Sequence, residues 1–375
     1  MFLTPEALYP KVGGGALRSA SLFENLETRY TVDAITFREN EGPVAIPGAR
    51  ELLILDLPRH SKHALARAFR NVRRYVVGRP PLLDRFSGFE GPVAEWLQGR
   101  RYRVAVVEHF WAAPYAEVLR GCADRLILDL HNIESRLHAT SADGASWPES
   151  AMHRAFSKAY ARLEDEWLPR YDDVLVTSRT DAERIRHPRV HVYPNTIPLH
   201  DEPRRPREHA IVFTGNLEYA PNVSAVRWFA REIWPEVRRA EPGLEWRLVG
   251  RNPHAVAPLV AGVDGVRVIG PVADAVEEIG RAKVAVVPLL AGSGTRFKIV
   301  EAWAAATPVV ATLIGAEGLD AVDRKHLVIA DGARQFADAV VELVRRPGGV
   351  GTQGREFYLE RFTTEAGWKA IEGVL

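Results

Sequence analysis

Residues 292–312 read GSGTRFKIVEAWAAATPVVAT, and they follow the apolar run VAVVPL of Val284 to Leu289. The β-branched run predicts a buried strand, so the segment reads as strand, glycine-rich loop, helix and second strand. In such a unit glycine lets the backbone approach a ligand closely. The helix that follows points its free N–H groups and the positive end of its dipole back at the loop. Gly292, Ser293, Gly294 and Thr295 are therefore expected to form an anion site, to which Arg296 and Lys298 add full positive charge. Glu301, about a turn and a half into the helix, repels phosphate but accepts hydrogen bonds from hydroxyls. Phosphate beside hydroxyls is the chemistry of a nucleotide or a sugar phosphate.

Outward from this segment the same alternation recurs. Before it come AIVFTGN, a helix over Val223 to Arg239, EWRLVG, VRVIG and the helix ADAVEEIGRA; after it come HLVIAD and the helix ARQFADAVVELVRR. The first half carries a short strand at FLTPEAL, a glycine loop at Gly13, Gly14 and Gly15, a helix at SASLFENLETR, and strands at TVDAITF, ELLILDL, RVAVVEH, RLILDLH and DVLVTS. Strands alternating with helices imply parallel sheets. The expected fold is α/β, two doubly wound, Rossmann-like domains facing across a cleft, where open α/β sheets bind ligands. The boundaries are an N-terminal domain over 1–197, a Pro- and Arg-rich linker over 198–208, a C-terminal domain over 209–350, and a helical segment over 351–375 that packs back on the N-terminal domain.

Composition fits a two-domain enzyme. The 375 residues, 46% hydrophobic, suffice for about two or three domains. Forty-nine basic against 48 acidic residues give a net charge of +1, which argues against a protein that wraps nucleic acid by bulk charge. The single cysteine, Cys122, rules out an internal disulfide or a cysteine-based zinc site and suits a reducing cytoplasm. The N-terminus lacks a signal-peptide pattern, and no apolar stretch reaches the ~20 residues that span a bilayer. The expected location is the cytoplasm, at most at the inner face of a membrane. One stretch bears on the second option: residues 59–79 read RHSKHALARAFRNVRRYVVGR, with apolar residues on one helical face and no acid among the cations. Two readings fit it, a basic helix resting on anionic lipid and an ordinary surface helix whose apolar stripe packs on the sheet. The acidic run Glu164, Asp165 and Glu166 reads as a solvated helix face.

The ordered set of DLHNIESR at 129–136, VTSRTDAERI from 176, VYPNTIP from 192, FTGNLEYAPN from 213 and the stretch from Gly292 resembles the GT-B fold glycosyltransferases of retaining family 4, also called group 1. Within it, GNLEYAPN and GSGTRFKIVEAW are most similar to bacterial exopolysaccharide and exosortase-associated sugar transferases. The resemblance implies transfer from a nucleotide diphosphate sugar, with a UDP- or GDP-sugar as donor, to a glycan or lipid-linked acceptor, with no cofactor required. Glu301 matches the second glutamate of the family's E-x7-E motif, which holds the ribose hydroxyls. The first, which contacts the donor sugar, is replaced by Ser293. Relatives also place an Arg and a Lys soon after the first strand of the second domain, but FTGNLEYAPNVSAV has no cation before Arg227. Arg296 and Lys298 are then the expected diphosphate clamp, the alternative being that one of them is a solvated helix residue. Gly14, Gly15, Gly215 and Asn216 complete the expected donor-binding set.

His131 matches the family histidine beside the donor sugar and, with Glu301, is the expected catalytic residue. Retaining enzymes of this type can react on one face of the sugar, with the leaving phosphate taking the acceptor proton. His131 then orients the sugar or shares charge with the transition state. Glu108, His109 and Asn132 are weaker candidates on the acceptor side, a structural role being the alternative. No Asp-x-Asp pair occurs in the chain, so no metal is expected at the diphosphate. Two other readings keep the fold: a nucleotide-sugar 2-epimerase, and a silent nucleotide-binding module suggested by Ser293. A nucleic-acid binder is disfavoured by the lack of stacking aromatics among the basic residues.

Overall fold

The computed structural model describes residues 1–11, 13–39, 42–58, 74, 78–143, 147–202, 206–291 and 296–375. The loop residues Gly292, Ser293, Gly294 and Thr295, and 59–73 with 75–77 of the basic stretch, lie outside the described residues. Two compact units form, one of Met1–Tyr193 with Trp368–Leu375 and one of Pro194–Gly367.

The first unit is built on seven parallel strands, β1 (Phe2–Thr4), β2 (Ala34–Arg38), β3 (Leu52–Asp56), β4 (Tyr102–Glu108), β5 (Ala123–Asp129), β6 (Asp173–Val176) and β7 (Val190–Val192), in the order β3-β2-β1-β4-β5-β6-β7. The apolar runs that predict β4 and β5 are buried over their carboxyl halves because helices cover both faces. Strand β7 was not anticipated: its three residues are only partly buried at the sheet edge, and so carry no continuous apolar signal. The β4–β5 register pairs Glu108 with Asp129, setting two carboxylates side by side at the carboxyl edge. The helix Gly14–Glu27 follows β1 across a turn at Gly13, whose φ of 98° suits glycine.

The second unit has six parallel strands, β8 (Ala210–Thr214), β9 (Glu245–Val249), β10 (Val266–Ile269), β11 (Val284–Val287), β12 (Val309–Ala311) and β13 (Val328–Ile329), ordered β10-β9-β8-β11-β12-β13. In each unit the strand order reverses once, between β1 and β4 and between β8 and β11. Ligands of open α/β sheets bind outside the carboxyl ends of the strands at such a point. The helix expected over Val223 to Arg239 is present but interrupted: Ala220–Trp228, a π turn at Phe229–Ile233, then Trp234–Ala240. Pro235 lacks an N–H and crowds the preceding turn, which widens the helix just before it.

The boundary between the units falls after Tyr193, so the described residues of 198–208 belong to the second unit. Arg207 anchors this stretch by donating to the carbonyls of Ala282 and Ala306, both at 2.8 Å, and to Thr307 Oγ1 at 2.7 Å. Its cation thus lies at the carboxyl end of the helix Phe297–Ala304, where the dipole favours positive charge. The C-terminal segment forms Val350–Arg361 and Thr364–Ala370. Trp368 belongs to the first unit, donating its indole N–H to the Ser21 carbonyl at 2.9 Å. The acidic run departs from the expected solvated face at one position. Glu164 is turned inward and accepts from Ser135 N at 2.9 Å and Ser135 Oγ at 2.6 Å, whereas Asp165 and Glu166 are exposed. Among the described residues no helix is long and apolar enough to cross a membrane.

Candidate functional site

In the first unit, charge is concentrated in the interior at the carboxyl ends of β4 and β5. Glu108 and Asp129 are fully buried, and Arg18, from the helix after the glycine turn, is 1% exposed. Two adjacent buried carboxylates repel unless compensated. Arg18 supplies one compensation: its guanidinium donates to both Asp129 oxygens, at 2.8 and 2.5 Å, and to the Tyr193 carbonyl at 2.6 Å. His131 supplies the other, with Nε2 at 2.6 Å from Glu108 Oε2 and 3.4 Å from Asp129 Oδ2. Ser19 Oγ donates to Glu108 Oε2 at 2.5 Å.

The protonation pattern follows. Burial opposes charge on Asp129, but the Arg18 guanidinium holds its carboxyl below the usual range. Burial would likewise lower His131, but its hydrogen bonds to Asp129 and Glu108 outweigh that and raise it to about 9. His131 is therefore an imidazolium at neutral pH. Burial and the Asp129 charge push Glu108 upward against His131. His109 behaves oppositely: burial, then the charges of His131 and Arg18, keep it neutral. Its ring lies 3.6 Å from that of His131 and stacks on Trp111 at 4.2 Å. Its φ of 62° is a left-handed conformation uncommon outside glycine, which places His109 directly behind the last residue of β4. Both His109 ring nitrogens and Glu108 Oε1 are buried with no hydrogen-bond partner.

Glu108, His109 and His131 each place a ligand atom within 4.8 Å of the others, the one such cluster among the described residues, and it has the donor chemistry to hold a divalent cation. Arg18 and protonated His131 already balance the two carboxylates without one. Gly15 brings the turn over this cluster: a Cβ there would sit 3.8 Å from His131 Nδ1 and 3.4 Å from Glu6 Oε2. Gly14 opens the helix, and Asn132 follows His131, half-buried.

In the second unit, the helix Phe297–Ala304 buries Ile299, Val300, Ala302, Trp303 and Ala304, leaving Lys298 and Glu301 on one side at i, i+3 spacing. Lys298 Nζ donates to Asn222 Oδ1 at 2.7 Å and lies 4.1 Å over the Phe213 ring. It is thus turned toward the end of β8, where Gly215 has no side chain to block it: a Cβ there would be 3.3 Å from Nζ. Burial, then the charge of Arg296, lowers Lys298 to about 7, opposed by Glu301. Burial raises Glu301, opposed by Lys298. Arg296 caps the helix and is 8% exposed. The Asn216 carbonyl accepts from Asn222 Nδ2 at 2.7 Å and its Oδ1 from Asn252 Nδ2 at 3.0 Å, fixing the loop.

Gly250 closes this site from the β9 side. Its φ is 145°, and a Cβ would lie 1.8 Å from the Gly215 carbonyl oxygen. Gly250→Ala is expected to destabilise the second unit by about 3 kcal/mol in urea unfolding. Gly262→Ala, also at positive φ but with nothing within 4 Å of the added methyl, is the control, expected to cost about 1 kcal/mol.

Of the residues expected from sequence, His131, Glu108, His109 and Gly15 converge in the first unit, and Lys298, Gly215 and Asn216 converge in the second with Glu301 one turn along the helix from Lys298. Gly292, Ser293, Gly294 and Thr295 lie outside the described residues. Neither Arg296 nor Lys298 is a fully solvated helix residue. Sequence reading missed Arg18, Asp129, Ser19, Glu6, Asn222 and Phe213. Arg18 did carry a signal, a cation four residues before Leu22 on the stripe that the helix buries.

Two doubly wound parallel domains of this kind define the GT-B fold. Residues 208–346, the larger part of the second unit, match the family model for glycosyl transferases group 1. Among solved structures, sucrose-phosphate synthase from Thermosynechococcus elongatus superposes with a TM-score of 0.74 at 16% identity, over 100% of this chain and 97% of that one. Anabaena HepE, solved with UDP and glucose, gives 0.63 at 13% identity over 99% and 97% of the two chains. A mutant of S. aureus TarM, in complex with Fondaparinux, alpha-GlcNAc-glycerol and UDP, gives 0.59 at 13% identity over 76% of this chain. The chain spans 58% of the length of TarM. Comparison with curated protein sequences gives no match.

Proposed function

We propose that this protein is a retaining glycosyltransferase that moves a sugar from a nucleoside diphosphate sugar to a hydroxyl of a glycan or lipid-linked acceptor, in bacterial polysaccharide synthesis. The observation that carries the reading is the partly buried Lys298 ammonium at the strand-order reversal of a domain matching glycosyl transferases group 1, with Glu301 one turn further along the same helix. A cation with one neutral hydrogen-bond partner at the carboxyl edge of a parallel sheet suits a diphosphate, and a carboxylate one turn away suits ribose hydroxyls. HepE and TarM were solved with UDP, which supports a UDP-sugar over a GDP-sugar.

In this reading the acceptor oxygen bonds to the anomeric carbon as the bond from that carbon to the diphosphate oxygen breaks. The nucleoside diphosphate leaves, and its phosphate takes the acceptor proton. Lys298, Arg296 and the helix N-terminus stabilise the charge developing on the diphosphate. In the first unit, the His131 imidazolium holds a sugar hydroxyl, and Glu108 and Asp129 maintain its charge. With the positive charge at the diphosphate supplied by the chain and no Asp-x-Asp pair in the sequence, the reading is of metal-independent transfer.

The test is a melting-temperature screen of the purified protein with UDP, GDP and ADP, with and without EDTA. UDP at 100 times its dissociation constant is expected to stabilise the protein by about 2.7 kcal/mol, and EDTA to leave that shift unchanged. No shift with any diphosphate sinks the reading; a shift that EDTA abolishes sinks metal independence. Retention is checked by NMR assignment of the product's anomeric configuration.

A further inference from the structure

A groove of about 530 Å³ opens at the carboxyl ends of β1, β2 and β3, within the range of small-molecule sites. Its apolar wall includes Leu57, Leu82 and Phe86, and its charged lining is Glu6, Arg38, Glu39 and Arg85. Trp111 lines it too, and stacks on His109. Glu6 reaches from the groove toward the buried cluster, its Oε2 3.4 Å from where a Gly15 Cβ would stand and 4.0 Å from His109 Nε2. The groove therefore adjoins His109 and His131 through Glu6 and Trp111.

Its charges are unequal. Arg38 is held by both oxygens of Asp56, at 2.6 and 3.0 Å, and Arg85 by Glu39 at 2.6 Å. Glu6 is half-exposed, with His109 Nε2 4.0 Å from its Oε2. Among the described residues each cation of the lining is thus held by a carboxylate, and Glu6 adds a further negative charge. A phosphate or carboxylate entering here has to break the Arg38–Asp56 or Arg85–Glu39 pair to gain a cation, and meets the Glu6 carboxylate beside it. A neutral pyranose meets no such cost: its C–H faces suit the apolar wall and its hydroxyls donate to Glu6.

We infer that this groove binds an uncharged sugar residue of the acceptor, with Glu6 accepting a hydrogen bond from one of its hydroxyls beside His131. The inference rests on the transferase reading and adds the acceptor's class: the sugar in the groove carries no phosphate or uronate, and the diphosphate of any lipid-linked acceptor binds elsewhere.

Saturation-transfer NMR on the full chain tests it, using p-nitrophenyl β-D-glucopyranoside, glucose 6-phosphate and methyl glucuronide as probes, each with UDP present. The neutral glycoside is expected to bind at least tenfold more tightly than either anion. Glu6→Gln is expected to narrow that preference several-fold by removing the excess charge, and Leu82→Trp to abolish glycoside binding by filling the groove. Leu82→Trp should retain the wild-type UDP melting shift, which shows that the fold and the nucleotide site persist. Equal or tighter binding of an anionic probe overturns the inference, as does no glycoside binding by a protein that still responds to UDP. Loss of the UDP response in the wild type is the separate failure of the transferase reading.

Discussion

Lys298→Met is expected to weaken diphosphate binding by about 10³-fold while making the unliganded protein more stable. The ammonium sits over the Phe213 ring with Asn222 as its hydrogen-bond partner, and burial lowers it to about 7. A cation held at such cost in the empty site is stabilised when an anion arrives, because each phosphate contact is charge-assisted. Methionine keeps the apolar volume and removes the buried charge, so a melting-temperature gain equivalent to about 1 kcal/mol or more should accompany the loss of affinity. The sign in pH follows from the lowered value. Between about 7 and the ordinary lysine value of 10.5, the unfolded chain binds a proton that the folded one does not, so wild-type stability rises with pH through that window. The variant lacks that slope. Diphosphate affinity runs the other way, falling up to tenfold per unit above about pH 7, because binding takes up the proton that Lys298 has lost. Calorimetry in buffers of different ionisation enthalpy measures that uptake. Unchanged affinity in Lys298→Met would remove the residue from the diphosphate site.

Glu108→Gln is expected to lower turnover by about 10²-fold and to move the alkaline limit of activity downward. His131 is raised to about 9 against the pull of burial by its hydrogen bonds to Asp129 and Glu108. A group raised on folding contributes stability that is fully present below its unfolded value of about 6.5 and is lost as pH rises through about 9. Activity that needs the imidazolium therefore holds to about pH 9 in the wild type. With glutamine at 108 one carboxylate is gone, and the limit should fall toward neutrality. A purely structural role for Glu108 would lower yield or melting temperature without moving the pH profile. His131→Ala should cost at least as much turnover as Glu108→Gln and show no limb near pH 9.

The β-strand skeleton was legible because parallel strands buried on both faces read as continuous apolar runs: VAVVPL, AIVFTGN and RLILDLH all hold strands of the sheets. The edge strand β7 was not, since its three residues are only partly buried and carry no continuous apolar run. The site was legible where function leaves a local mark. Gly215 stands after a strand end, Lys298 and Glu301 stand on the helix Phe297–Ala304, and His131 follows a strand end. Asn222 and Arg18 left little mark, because an asparagine in a helix and an arginine among serines have many ordinary explanations. Glu6 had none, as its proximity to Gly15 and His109 arises between segments about 10 and 100 residues apart.

By itself the sequence determined two α/β halves, the turn at Gly13, and the grouping of Arg296, Lys298 and Glu301 on one helix start, because periodicity and spacing along a chain fix which residues share an element and a face. Only the tertiary structure decided the states of these groups. The β4–β5 register sets Glu108 beside Asp129, and the fold brings Arg18 in from 111 residues away to neutralise one of them. The charge on His131 and the low value of Lys298 then follow from neighbours and burial, since a side chain's ionisation is set by the field and solvent around it, and those are properties of the packed chain.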